Sequence, residues 1–545
     1  MAQWSPDSTL NLTICDLSGE QVLPKICATS DGGCFISWFD TRSGSYCVYL
    51  QRLDYQGNPQ LGDDGLLVSD QPQMSWLVNY SMAVDGSDNA IIAFSDERNA
   101  AGELDVSVYK ISSTGEFLWG VDGICLSDPS VPGFEPNPSV AVTGLGNCVF
   151  AWGKSEDTDY LIFQKLSPDG DKLWGDWGVT LESSADLSVP VLVPSGQDSV
   201  IAMWKSSTGS YPMTVTHLYA DMLGTDGSGL WGDSPVLIYD TGSISPWAYP
   251  GMISDGLGGA YCYWYDAPSP SEFNVWAQHL DVQGEMQYPM NGAQGSTFGD
   301  NRLHMSPSGE FDPVSGQGYL FWAETDGSQN YYGVYGQAFS AAGERLWTDS
   351  GLELLPLGSQ QTGFVEALAA ADGIFVSFFI DATATSLRVW KLGYDGAVLW
   401  GPVTLSAGSL GGKDDPVVCA GWDDGAYYAW TDFRSDGGVY AQNIQSDGTL
   451  GQYLGIESEG AGFAVRISPN PSRGAVSISL SGPVGRTVVV GIYDLAGRLV
   501  DSLGTVLGEE GATLLWNRRD SVPPGIYLVR TSCGESVTSR RMVLL

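Results

Sequence analysis

The sequence predicts an all-β protein: an eight-bladed β-propeller over residues 1–460, followed by a small Ig-like β-sandwich over 461–545. Three observations carry this. One phrase recurs eight times in the first part, at spacings of roughly 45–60 residues. Each copy reads as four short strands separated by glycine-rich turns. The charge changes sign where the phrase ends. Of the 24 basic and 64 acidic residues, nine Arg and six acids fall in 461–545, a charge of +3, which leaves −43 on 1–460.

The clearest copies span 24–67, 138–181 and 416–456. Each opens with a short apolar segment and an Asp/Gly turn: Asp31-Gly32-Gly33, Asp85-Gly86, Asp255-Gly256, Asp372-Gly373 and Asp424-Gly425. Glycine takes positive φ there at little cost. An apolar second strand then ends in an aromatic: Trp38, Phe94, Trp152, Trp204, Trp264, Trp322, Phe379 or Trp430. The third strand alternates with period two, as in Tyr49–Leu53 and Ile162–Leu166. A Leu-Trp pair introduces the fourth at Trp119, Trp174, Trp231, Trp347 and Trp400. A blade buries both faces only between two neighbours, so the ring must close. Seven blades result if the degenerate copy at 190–240 is an insertion. Trp4 to Thr13 resembles a fourth strand placed before the first full copy, and the last copy, near Leu450–Ile456, lacks its Trp. The N-terminal segment is therefore expected to complete the last blade; the alternative is a loose arm.

Bulk composition agrees. A chain of 545 residues exceeds one ordinary hydrophobic core. Its 70 Gly and 28 Pro fit many tight turns, and its 19 Trp, 25 Tyr and 18 Phe fit a folded protein. The acidic balance argues against nucleic acid, whose phosphates need a basic stripe, and against anionic lipid. Its simplest role is to keep an extracellular protein dispersed. No run approaches ~18 apolar residues, so no membrane span is expected. The start, Met1-Ala2-Gln3-Trp4, lacks a signal peptide, so an exported form would have lost its N-terminal signal.

Most recurrent polar residues have a structural explanation. Asp40 and Arg42, Asp96 and Arg98, and Asp432 and Arg434 follow the second-strand aromatic. Asp and Arg two apart can clasp a turn; the functional alternative is a ring of carboxylates at one rim. Gln51, Gln164, Gln278, Gln337 and Gln442 recur at one third-strand position and are expected to bond an adjacent blade or strand. The Leu-Trp tryptophans read as wedges between blades. Of the three histidines, His217, His279 and His304, His279 occupies the position of Arg52, Lys165 and Asn443 and is expected to face solvent. No Cys/His spacing suits zinc, and no cofactor motif is present. Calcium would suit oxygen-rich loops such as Asp63-Asp64, Glu156-Asp157-Thr158-Asp159, Asp414-Asp415 and Asp423-Asp424, but none matches an Asp-x-Asp-x-Asp-Gly loop. Nine Cys are too scattered for a disulfide-dense scaffold. Cys27, Cys34 and Cys47 fall on successive strands, with 27 expected opposite 34 and 34 opposite 47. Buried apolar roles explain them most simply; a disulfide among them is permitted outside the cell.

From Arg466 the pattern becomes alternating strands without Leu-Trp: 476–480, 487–493, 498–503, 512–516, 525–530 and 536–544. This stretch carries Ser468-Pro469-Asn470-Pro471, then Ile492-Tyr493-Asp494-Leu495-Ala496-Gly497-Arg498, then Pro524-Gly525-Ile526-Tyr527-Leu528-Val529-Arg530, and ends Arg540-Arg541-Met542-Val543-Leu544-Leu545. Four such phrases in order resemble the C-terminal sorting domain of proteins exported by the type IX (Por) secretion system. Pro469, Asn470, Pro471, Asp494, Gly497, Arg498, Gly525, Tyr527, Arg540 and Arg541 are its matching positions. The resemblance implies recognition by the type IX export machinery and delivery to the outer-membrane surface or the extracellular space. Ser458–Gly462 reads as a flexible linker before it. Residues 1–460 resemble a propeller family of exported bacterial proteins with Trp-x-Asp-x-Arg and Tyr-x-Gln phrases, a likeness that carries fold and no activity.

The leading expectation is a secreted or surface-attached binding protein with an unassigned glycan or protein ligand. The alternatives are an extracellular polysaccharide hydrolase or lyase using propeller-face carboxylates, and a structural or assembly protein. No nucleophile, metal or phosphate motif favours an enzyme.

Overall fold

A computed structural model describes residues 3–73, 79–99, 102–131, 133–155, 159–210, 213–245, 248–269, 271–297, 301–381, 385–407, 411–452, 464–468, 475–482, 484–494, 498–508, 511–517, 522–523, 525–533 and 536–544. Almost all regular structure in them is β; a 3₁₀ turn spans Trp422–Asp424. Contacts divide the chain into Met1–Gln452 and Tyr453–Leu545.

In 1–452 the strands form successive antiparallel units of four, each meandering in chain order. The first unit consists of Gln21–Ala28, Cys34–Asp40, Tyr46–Leu53 and Leu66–Gln73. The second begins at Ser81, the third at Ser139, the fourth at Asp186, the fifth at Gly251, the sixth at Arg302 and the seventh at Thr362. The degenerate stretch at 190–240 is an ordinary four-stranded unit, Asp186–Tyr239. A single parallel bridge, Phe273 to Leu303, joins the fifth and sixth units into one sheet. In each unit the first strand touches the first strands of the units before and after it, and Gln21–Ala28 touches Lys413–Ala420 of the last. The first strands thus line an inner ring, and apolar side chains fill the space between neighbouring sheets.

The last unit takes its outer strand from the other end of the chain. Lys413–Ala420, Ala426–Asp432 and Gly438–Ile444 are completed by Leu12–Cys15, with Leu12 opposite Ala441. Residues 453–456, where the sequence places that strand, lie outside the described residues. Trp4 supplies the missing wedge. Its indole N–H donates to Tyr55 O in the first unit at 3.0 Å, as Trp119 does to Pro168 O, Trp174 to Thr225 O and Trp400 to Ser446 O.

Each wedge lies against a glycine in the third-strand turn of the next unit. Trp4 meets Gly57, Trp119 Gly170, Trp174 Gly227, Trp231 Gly284, Trp347 Gly396 and Trp400 Gly448; Leu61 against Gly115 and Tyr288 against Gly343 fill the same place. All these glycines have φ between +80° and +95°. The recurrent glutamines prepare five of these wedges, and Asp221 accepts from Trp231 N in the same way. Gln164 Nε2 donates to Gly175 O at 2.8 Å while its Oε1 accepts from Trp174 N, tying the third strand to the segment entering the fourth. Gln51, Gln278 and Gln337 do the same, and Gln442 reaches Ser5 O of the N-terminal segment.

In the second part, Ala464–Ser468, Val476–Ser481 and Ala512–Trp516 form one sheet. Leu499–Val506, Thr487–Asp494, Gly525–Cys533 and Ser536–Leu544 form another. Val476, Ile478 and Trp516 from the first pack with Val490, Val529 and Met542 from the second in one core. Ala464–Ser468 is a strand the alternation did not reveal.

A Cβ on Gly170 would lie 2.9 Å from Trp119, whereas one on Gly146, at a similar φ of +81°, would meet only Pro168 at 3.7 Å. Gly170→Ala is therefore expected to lose about 2–4 kcal/mol from strain plus overpacking, and Gly146→Ala only about 1 kcal/mol. Chemical denaturation of the two variants checks this.

Candidate functional site

The turn clasps come first. Asp40, Asp96 and Asp432 end their second strands and are fully buried. Arg42 Nη2 lies 2.6 Å from Asp40 Oδ2, Arg98 Nη2 2.7 Å from Asp96 Oδ2, and Arg434 Nη2 2.6 Å from Asp432 Oδ2. The backbone N–H of each Arg also donates to its Asp. Trp38 and Trp430 donate their indole N–H to Asp40 and Asp432 from below. The guanidinium groups of Arg42 and Arg434 lie 4.0 and 3.9 Å over the rings of Tyr49 and Tyr440. Burial pushes the Asp432 carboxyl up, but the Arg434 hydrogen bond and the Lys413 and Arg434 charges win, holding it below the usual range. The three clasps sit in three consecutive units, the last, the first and the second. Where the Asp is missing, another carboxylate reaches the same Trp: Glu135 accepts from Trp152 at 2.7 Å and pairs with Lys154.

A second recurrent pair joins a cation at the Arg52 position of the third strand to a first-turn Asp, in its own unit for Arg52 and Lys391 and in the next unit for Lys165. Arg52 pairs with Asp31, Lys165 with Asp198 and Lys391 with Asp372. His279 belongs to this set, which corrects the expectation that it faces solvent. It is buried, its Nε2 lies 3.0 Å from Asp255 Oδ2, and its ring packs 4.4 Å from Phe311. The equivalence with Arg52 and Lys165 holds; those cations are themselves turned inward onto a turn carboxylate. His304 is also buried, 3.4 Å from Glu324.

The cysteines differ from the simple reflection. Cys34 is paired with Ala28 and Leu53, Cys27 with Phe35, and Cys47 with Asp40. Cys27 and Cys34 therefore point to opposite faces of their sheet. All nine are free thiols.

Acids and one lysine that follow no repeat rule gather on the first strands, at the inner ring: Lys25 in the first unit, Glu310 in the sixth, Glu366 in the seventh, and Asp414 and Asp415 in the last. All five are half-buried. Burial raises Glu310 to about 8, with Glu366 adding to it, and raises Glu366 to about 7 against the pull of Lys25 and a Ser308 hydrogen bond. Burial and Asp414 raise Asp415 to about 6. Burial lowers Lys25, opposed by Asp415 and Glu366. Tyr263, raised by burial and by the same two glutamates, lies against Gly251 and Gly309. The other first strands offer small or apolar residues here, among them Ser81, Ala83, Ser139, Ala141, Val191 and Ile253. Among the described residues, the first-strand acids with raised carboxyls thus lie in the sixth, seventh and last units, beside Lys25 of the first.

A sequence signal for this place exists. Leu23-Pro24, Asn137-Pro138, Val189-Pro190, Ser306-Pro307 and Asp415-Pro416 each put a positive-φ residue before a proline. Pairing with the second strand breaks at four of these, after Val22, Ser188, Met305 and Asp414. That bulge re-aims the side chains beyond it. Among the described residues, no group of three or more His, Cys, Asp or Glu is arranged to hold a metal ion.

In the tail, Pro469, Asn470, Pro471 and Gly497 lie outside the described residues, as do 156–158 of the acidic loop and the 458–462 linker. Arg498 and Arg540 are exposed, and Asp494 and Arg541 lie on strands. Tyr527, two residues beyond Gly525, is buried and donates to Pro523 O at 2.7 Å.

Because the raised glutamates hold a proton that the unfolded chain releases, their contribution to stability is full below the ordinary carboxylate range and is lost as pH rises through about 8. The thermal midpoint is expected to fall between about pH 5 and 8, and less so in a Glu310→Gln, Glu366→Gln double variant. Melting curves across that range decide it.

No curated protein matches the chain. Among solved structures, a Dyadobacter fermentans protein of unknown function is 11% identical, covering 56% of this chain and 93% of its own, with a TM-score of 0.33. The plexin A4 extracellular region is 10% identical over 86% of this chain and 60% of its own, with a TM-score of 0.36. The Hadza microbial sialidase Hz136 is 12% identical over 63% and 74%, with a TM-score of 0.31. Similarity at this level assigns no activity. Among the described residues, no helix is long and apolar enough to cross a membrane. Residues 466–545 match the family model of the secretion system C-terminal sorting domain, and this part of the chain is such a domain.

Proposed function

We propose that the chain is an exported binding protein, extracellular or held at the outer-membrane surface. In this reading residues 1–460 are an eight-bladed β-propeller and residues 461–545 an Ig-like sorting domain that a type IX export machinery recognises. The sorting-domain match at 466–545 carries the proposal. Two further observations support it: the closed circuit of first-strand contacts, and the structural use of nearly every recurrent polar residue. The ligand, a glycan or a protein, would enter at the inner ring, where the side chains that differ between units collect. A second reading, a polysaccharide hydrolase or lyase, draws on Glu310 and Glu366, since a carboxyl raised to about 8 stays protonated at neutral pH as a general acid requires.

Deleting 466–545 is expected to trap the protein in the periplasm of a type IX-competent host; normal export of the truncation would refute the sorting role. A glycan array on the full chain, followed by turnover assays on every hit, separates the other readings. Binding without turnover is expected. Turnover abolished by Glu310→Gln would establish the enzyme instead.

A further inference from the structure

Ring closure brings two thiols from distant parts of the sequence together. In the strand Cys34–Asp40, Phe35 and Phe39 pack toward the second unit with Tyr80 and Ile92. Side chains alternate along a strand, so Cys34 faces the other way, toward the last unit. In the last unit, Tyr428 and Trp430 pack toward the seventh with Phe375 and Phe379. Tyr427 therefore faces the first unit, and its hydroxyl donates to Gly32 O at 2.8 Å. Cys419 is the register partner of Tyr427 and shares its face. The Cys34 and Cys419 thiols therefore face each other's unit across the seam, beside the Tyr427–Gly32 hydrogen bond. Cys27 looks the other way, with its thiol 3.3 Å from Met82 O of the second unit.

We propose that Cys34 and Cys419 form a disulfide that locks the first unit to the last. The chemistry is thiol–disulfide exchange with an external disulfide, small or protein-borne. One cysteine thiolate attacks that disulfide and releases the first of its sulfurs as a thiol; the second cysteine thiolate then displaces the other. The external S–S bond breaks and a Cys34–Cys419 bond forms. The oxidant leaves as two thiols carrying the two electrons and two protons. Burial pushes the Cys419 thiol well above its ordinary range, with Cys34 and Cys27 adding to it, so the closed ring disfavours the thiolate. Exchange therefore belongs to the folding chain, before the seam is sealed. This inference is independent of what the ring binds.

The test refolds the full chain with oxidised and reduced glutathione, traps free thiols by alkylation after denaturation, and maps peptides without reduction. A linked pair containing residues 34 and 419 is expected. Alkylation of both, or linkage of either to another cysteine, would overturn the proposal. Oxidised protein should also unfold about tenfold or more slowly than the same protein with reductant, a difference absent from Cys419→Ser. If that variant does not fold, the wild-type comparison with and without reductant still decides.

Discussion

Every unit depends on the seat that its neighbour offers to a large side chain. A four-stranded sheet of this size has two apolar faces and cannot bury either alone. The structure answers with one contact repeated around the ring, an aromatic or leucine seated on a left-handed glycine of the following turn. The glycine is required twice over, by its φ and by the absence of a Cβ where the ring lies. The glutamine beneath holds the wedge in register, because its amide satisfies both a carbonyl and an N–H that would otherwise lie buried.

Burying so much polar structure needs local neutralisation, and this explains the placement of the few cations. The part with a formal charge of −43 spends most of its 15 basic residues inside, against carboxylates. Its surface is left correspondingly acidic. Such a field favours solubility and disfavours polyanions. It also leaves Lys25 as the inner ring's cation among raised acids, a setting in which modest changes in charge move several protonation states together.

What the sequence made legible follows the same division. The strands, the Trp wedges and the closing N-terminal strand could be read because they repeat, and repetition averages out local noise. The sorting domain could be read because its phrases come in order. The burial of His279 is not legible from the sequence, because equivalence with Arg52 and Lys165 says what a position is for only once the partner of those cations is known; turn Asp255 lies 24 residues away in sequence. The inner acids do not repeat, so self-comparison of the sequence does not mark them. Glu310, Glu366 and Asp415 come together through ring closure, and no spacing within one copy relates them. A proline after the bulge marks the place in the first, fourth, sixth and last units, whereas the bulge before Glu366 has Val365 there.

The outer strand of the last unit is Leu12–Cys15, paired with residues 439–441. The first piece of that unit to be synthesised therefore waits for the last. Few contacts in the chain join residues farther apart, and closing so long a loop is entropically slow. A ring built this way stays an open arc, with two unsatisfied edges, until its final unit is available. In a chain that ends in a sorting domain, the topology itself postpones the finished fold until the last unit has been made.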